Sequence, residues 1–234
     1  MTLLEADALT VRFGGVTALN RLNLHVDPGE FVGVLGANGS GKSTLLDVLS
    51  GLRSASGAVT FRGRDLTRTP AYARHRLGIS RSYQNLELSP ALSVRETLLA
   101  GSRAHRHRAV EEVARVSALF SLDDFAGDRI GVLTYGMRKR VELARAFLCR
   151  PALVLLDEPM AGLNDTEKER VASVIRNISA EPTPPAIVLV EHDVSIVAAL
   201  STRVVAIDAG SVIAEGAPAH VIASAAVQRA YLGL

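Results

Sequence analysis

Apolar residues in this chain fall into short runs and two-residue alternations bounded by turn formers, and between several of them the period lengthens to that of a helix. The strand pattern covers Thr2–Val11, Leu22–Val26, Phe31–Leu35, Ala58–Phe61, Leu153–Leu156, Ile187–Val190, Val204–Ile207 and Ser211–Glu215. Such runs suit a pleated surface buried on one or both faces. Helical segments interleaved with them predict an α/β fold. Asp27-Pro28-Gly29-Glu30 and Asp208-Ala209-Gly210-Ser211 read as turns, each expected to join two antiparallel strands, because Pro presets one corner and Gly accepts positive φ at the other.

From about Asn85 to Arg150 the strand signal lapses, and Val110, Val113, Val116 and Phe120 recur at helical spacing. The expected organisation is therefore one domain, 1–234. Its α/β core would be formed by 1–84 and 151–234, with an α-helical subdomain inserted at 85–150. Glu181-Pro182-Thr183-Pro184-Pro185 reads as a rigid loop before a strand.

Composition narrows this little. With 48% apolar and 21% charged residues in 234, the chain can bury a full core, and collagen-like or disordered classes are excluded. Its apolar runs, such as Ala152–Leu156 and Ala186–Val190, fall far short of the ~18–20 residues that cross a bilayer. Glu5 and Asp7 near the start give no secretory pattern, and a single Cys149 cannot form an internal disulfide, so a cytosolic protein is expected. Cys149 reads as a small buried apolar residue. The balance of 26 basic against 24 acidic residues gives no case for nucleic acid. His105-Arg106-His107-Arg108 reads as a solvated helix start, because no Cys or carboxylate completes a ligand set there.

The candidate chemistry begins where Phe31–Leu35 runs into Gly36-Ala37-Asn38-Gly39-Ser40-Gly41-Lys42-Ser43-Thr44. This matches G-x-x-x-x-G-K-[ST] between a strand and a helix, expected over Lys42–Leu49. Glycines let successive backbone N–H groups turn inward around phosphates, and the helix adds its positive dipole end. Lys42 then neutralises the β- and γ-phosphates while the Ser43 hydroxyl coordinates Mg²⁺. A kinase, a GTPase and an ATP-driven motor all remain open at this point. Further on, Leu153–Leu156 ends in Asp157-Glu158-Pro159. There Asp157 can hold Mg²⁺ through water and Glu158 can polarise an attacking water. Asp157 follows Lys42 by 115 positions, a gap that small P-loop kinases and GTPases do not usually contain.

With Leu133-Thr134-Tyr135-Gly136-Met137 just upstream, the whole chain resembles the ATP-binding cassette (ABC) family of ATPase subunits, on a P-loop NTPase, RecA-like core with an antiparallel β subdomain. In that family the signature Leu-Ser-Gly-Gly-Gln caps the γ-phosphate held by the opposite subunit, so two ATP molecules are sandwiched in a dimer. Thr134 keeps the hydroxyl and Gly136 the close backbone approach, at the start of a helix expected over Arg138–Cys149. Tyr135 and Met137 depart from the pattern, and the tyrosine is similar to the branched-chain amino acid importer subfamily. The resemblance further implies that Phe13 stacks on adenine, that Gln84 reaches Mg²⁺ in a loop touching the membrane partner, that Ala161-Gly162-Leu163-Asn164 crosses the dimer interface, and that His192 contacts the γ-phosphate. Arg12 to Leu19, Leu77 to Arg81, Val190 to Asp193 and the tail Arg229 to Gly233 are also similar to that importer group. Urea or amide importers and the lipopolysaccharide-export ATPase are the near alternatives, while a soluble ABC adaptor on ribosomes or DNA would usually carry two cassettes or long coiled coils. A P-loop kinase would have no need of Thr134 and Gly136.

The implied partners are transmembrane permease subunits, a second ATPase subunit and, indirectly, a solute-binding protein, at the cytoplasmic face of the inner membrane. Tyr83 to Leu88 presents apolar side chains beside Gln84, and apolar anchors are typical of interface centres. Accordingly Leu86→Glu is expected to leave folding and ATP hydrolysis of the isolated chain intact while abolishing co-purification with the permease. An insoluble or thermally weakened variant would instead make Leu86 a core residue.

Overall fold

The structure, a computed structural model, describes residues 2–82, 88–102 and 106–232. Tyr83, Gln84, Leu86 and His105 lie outside them. Ten strands are formed among the described residues: β1 (Leu4–Phe13), β2 (Val16–Val26), β3 (Phe31–Leu35), β4 (Ser56–Phe61), β5 (Arg64–Asp65), β6 (Ile79–Arg81), β7 (Leu153–Asp157), β8 (Ala186–Val190), β9 (Arg203–Asp208) and β10 (Ser211–Gly216). One sheet is antiparallel, in the order β2-β1-β4-β5, and the other runs β10-β9-β3-β8-β7-β6. In the second sheet only β10 is antiparallel to its neighbour.

Every residue of β3, β7 and β8 is buried, as expected of parallel strands covered on both faces. Alternation assigns the faces. Leu153, Leu155, Val188 and Val190 join an apolar cluster with α1 (Lys42–Ser50) and the antiparallel sheet. Val154, Leu156, Ile187 and Leu189 face a second cluster. That second cluster is built from α3 (Val94–Gly101), α4 (Arg106–Leu119), α5 (Tyr135–Ala146) and α6 (Asp165–Ser179), the first three of which lie between β6 and β7.

The structure departs from the sequence pattern at several points. The Asp27–Glu30 turn joins strands of different sheets, because β3 is wholly buried and pairs parallel to β8 and β9 rather than returning along β2. Asp208–Ser211 does join the antiparallel pair β9 and β10. Strands β5 and β6 were not anticipated; each is too short, at two and three residues, to leave a periodic signal. Val110 is exposed on α4, whereas Val113, Val116 and Phe120 are buried. Helix α5 starts at Tyr135, with Thr134 as its N-cap. It also ends three residues before Cys149, which is only half-buried.

The helix leaving β3 is fastened at its far end by a buried cation. Arg74, 2% exposed on α2 (Ala71–Arg76), donates from Nη1 to Val48 O (2.8 Å) and Leu49 O (3.0 Å). It also donates from Nη2 to Leu66 O (2.6 Å) and from Nε to Thr69 O (2.8 Å). These include two of the last carbonyls of α1, of which Val48 O also accepts from Gly51 N (3.1 Å). Burial pulls the Arg74 pKa down, against the opposing pull of Asp65, and the fork geometry makes lysine a poor substitute. Arg74→Met should therefore cost about 2–4 kcal/mol, read as a lower urea midpoint with an unchanged m value.

Candidate functional site

The strand order β3-β8-β7 places the C-terminal ends of three parallel strands side by side, the usual position of a ligand crevice in open α/β sheets. The loop after β3 closes under steric constraint. At Gly41, φ is 110° and any Cβ would press on Ala18 O, so the entry to α1 admits only glycine. Lys42 is buried and its Nζ donates to Gly36 O (2.7 Å) and Ala37 O (2.9 Å), curling the loop about its own ammonium. Burial lowers the Lys42 pKa, and the charges of Glu158 and Asp157 oppose that shift. Asn38 and Gly39 form an exposed turn, and Ser43 is exposed in the first turn of α1 beside a half-buried Thr44.

At the end of β7, Asp157 is buried. Its backbone N–H donates to Ser82 Oγ (3.2 Å) and its Oδ2 accepts from Arg81 Nη2 (2.9 Å). Glu158 has φ of 46° and is held there by its N–H bond to Val190 O (2.9 Å). A non-glycine residue in this region stores strain of about 1–3 kcal/mol. Beyond β8, His192 Nε2 lies 2.5 Å from Glu158 Oε1, so the two residues assigned to catalysis from sequence are brought into direct contact. The buried Glu191 completes this corner, accepting from Met160 N (2.8 Å) and His192 N (3.3 Å). Burial raises its pKa, and those two backbone bonds oppose the rise.

Thr134, Tyr135, Gly136 and Met137 stand at the start of α5. Thr134 Oγ1 accepts from Met137 N (3.3 Å) as the N-cap of α5. Any Cβ on Gly136 would overlap the Glu167 carboxylate, and Glu167 is engaged in a capping box with Asn164. Tyr135 Oη donates to Ala161 O (3.3 Å). Met137 is half-buried against the helical apolar cluster. Phe13, at the end of β1, is 44% exposed with the Arg53 guanidinium 4.4 Å above its ring.

Two buried oxygens in this region, Ser40 Oγ and Asp157 Oδ1, have no hydrogen-bond partner. With the buried Lys42 between loop and carboxylates, they fit a ligand that brings both phosphate oxygens and a divalent cation. Sequence reasoning passed over Arg81, Asp47 and Glu191. Their signal is a charged residue at or near the end of a buried element, which is costly unless paired.

Comparison with known proteins identifies the family and the fold. The family model described as "ABC transporter" matches residues 19–161, and one described as "Branched-chain amino acid ATP-binding cassette transporter" matches 211–233. The chain is 32% identical to the high-affinity branched-chain amino acid transport ATP-binding protein BraF of Pseudomonas aeruginosa, over 99% of this chain and 98% of that one. It is 30% identical to LivG of Escherichia coli K12, a protein of the same description, with the same coverage. A nucleotide-free ATP-binding cassette from an ABC transporter superposes with a TM-score of 0.91 at 25% identity, over the full length of both chains. This chain belongs to the ABC transporter family and is an ATP-hydrolysing, ATP-binding subunit of a membrane transporter.

Proposed function

We propose that this subunit powers import of branched-chain amino acids, working as one of two cassettes that bind two ATP molecules head to tail. The supporting observation is that the site is divided. Lys42, Asp157, Glu158 and His192 are grouped at adjacent strand ends, whereas Thr134 to Met137 are anchored to the Ala161–Asn164 loop and to Glu167 of α6. A second cassette, identical or a close paralogue, would supply the cap that each half lacks.

In this arrangement the loop N–H groups and Lys42 hold the β- and γ-phosphates, and Phe13 stacks on the adenine. Ser43, Gln84 and Asp157 hold Mg²⁺, which when bound neutralises charge developing on the phosphoryl oxygens. Glu158 takes the proton of the attacking water, with His192 fixing its carboxylate. Thr134 to Met137 of each cassette face the γ-phosphate of the other. Among the described residues no helix is long and apolar enough to cross a membrane. In this reading the cassette docks on its permease from the cytoplasmic face of the inner membrane through the 83–88 segment, and a solute-binding protein delivers the amino acid on the other side.

If Glu158 is the base, Glu158→Gln keeps ATP affinity and loses on the order of 10²–10⁴ in turnover. ATP-bound dimers then accumulate in gel filtration, and leucine uptake by cells carrying the permease stops. Near-wild-type hydrolysis would move the base to His192. Lys42→Ala behaves differently, because it removes the ammonium that both curls the loop and compensates the triphosphate. ATP binding itself is expected to weaken, by calorimetry, along with hydrolysis, and an unchanged affinity would contradict the assignment.

A further inference from the structure

Arg81 stands at the end of β6 with its side chain only 7% exposed, and it divides its guanidinium between two carboxylates. Nη2 donates to Asp157 Oδ2 (2.9 Å). Nη1 donates to Asp47 Oδ1 (2.7 Å) and Ser50 Oγ (3.2 Å), two residues one turn apart on α1. Asp47 is in turn 3.7 Å from Arg53 Nε, the cation lying over the Phe13 ring. Charges therefore alternate in one continuous line from Phe13 to Asp157: Arg53, Asp47, Arg81, Asp157. None of this line is part of the phosphate loop.

We propose that Asp47 is a positioning residue: by sharing Arg81 with Asp157, it keeps the Asp157 carboxylate available to Mg²⁺. The inference rests on the reading of Asp157 as a magnesium residue. Arg81 carries one positive charge, and two anions compete for it. Asp157 is 5% exposed and Asp47 29% exposed at their side chains, so the pair at Asp157 is poorly screened and its strength matters. With Asp47 present, the guanidinium is held by a second anion, and Asp157 keeps Oδ1 unengaged. With Asp47 neutral, the whole cationic charge falls on Asp157. Both the lost negative charge and the tighter hold on the carboxylate then act against a divalent cation. The two effects have the same sign, so the outcome has one direction.

The test is calorimetric binding of a non-hydrolysable ATP analogue to the full chain at a series of free Mg²⁺ concentrations, alongside melting of the nucleotide-free protein. Asp47→Asn keeps side-chain size at a partly exposed position. It is expected to raise the Mg²⁺ concentration giving half-maximal affinity by about threefold to tenfold, while affinity at saturating Mg²⁺ stays within about twofold. Asp47→Glu is expected to restore the wild-type Mg²⁺ requirement. A lowered melting temperature with an unchanged Mg²⁺ requirement would make Asp47 a purely structural residue and overturn the proposal. If Asp47→Asn does not fold, Asp47→Ser gives the same reading, since it too removes the charge. Asp157→Asn, measured in parallel, separates the premise from the proposal. No shift there would overturn the assignment of Asp157 to Mg²⁺ and this inference with it. A shift there without one in Asp47→Asn would overturn the inference alone.

Discussion

Helix α1 is the member from which the rest of the site is hung, and a buried cation fixes it at each end. Lys42 binds the two loop carbonyls of Gly36 and Ala37 at its start, and Arg74 binds the Val48 and Leu49 carbonyls at its finish. Between them, Leu45, Leu46 and Leu49 are fully buried against both sheets. A phosphate-binding loop needs its backbone N–H groups aimed to within fractions of an ångström, and aim of that kind comes from a rigid support rather than from the loop. The parallel sheet supplies the second reference, because β3, β8 and β7 stand next to one another and their ends share one edge.

One point of backbone strain falls where the chemistry is assigned. Glu158 leaves β7 with a positive φ, and its N–H is captured by Val190 of the neighbouring strand, so the pairing of β7 with β8 holds the residue in a conformation it would not keep alone. The same strand then turns at Glu191, whose buried carboxylate collects N–H groups from both strand ends. Glu158 and His192 meet because two adjacent strands finish level with each other.

The legible parts of the chain were those fixed by local rules. Fully apolar strands, the glycine spacing of the loop, and the Asp157-Glu158 step at a strand end each follow from backbone or solvation demands that act within a few residues. The phosphate loop and the carboxylates could thus be named from sequence, as could the α/β class. What stayed hidden depended on long-range partners. Arg81 meets Asp47 and Asp157 across 34 and 76 positions, and Arg74 reaches back 26 and 25 positions to the carbonyls of α1; nothing in the run of residues around any of them announces a partner. The turn at Asp27–Glu30 was recognised as a turn, yet whether it reverses the chain within one sheet or passes it to another is decided by the burial of β3 on both faces.

One contact also limits how the chain can change over generations. Gly162 has φ of 76°, and a Cβ placed on it would sit 3.1 Å from the ring of Tyr135, whose hydroxyl holds the carbonyl of Ala161. The two sites are 27 positions apart in sequence, but they fill one volume. A side chain gained at 162 needs both a smaller residue at 135 and a backbone able to hold left-handed geometry, so the first step toward any other pairing passes through a poorer one. Drift at 162 is held back by the ring at 135, whereas a smaller residue at 135 gives up only the bond to Ala161.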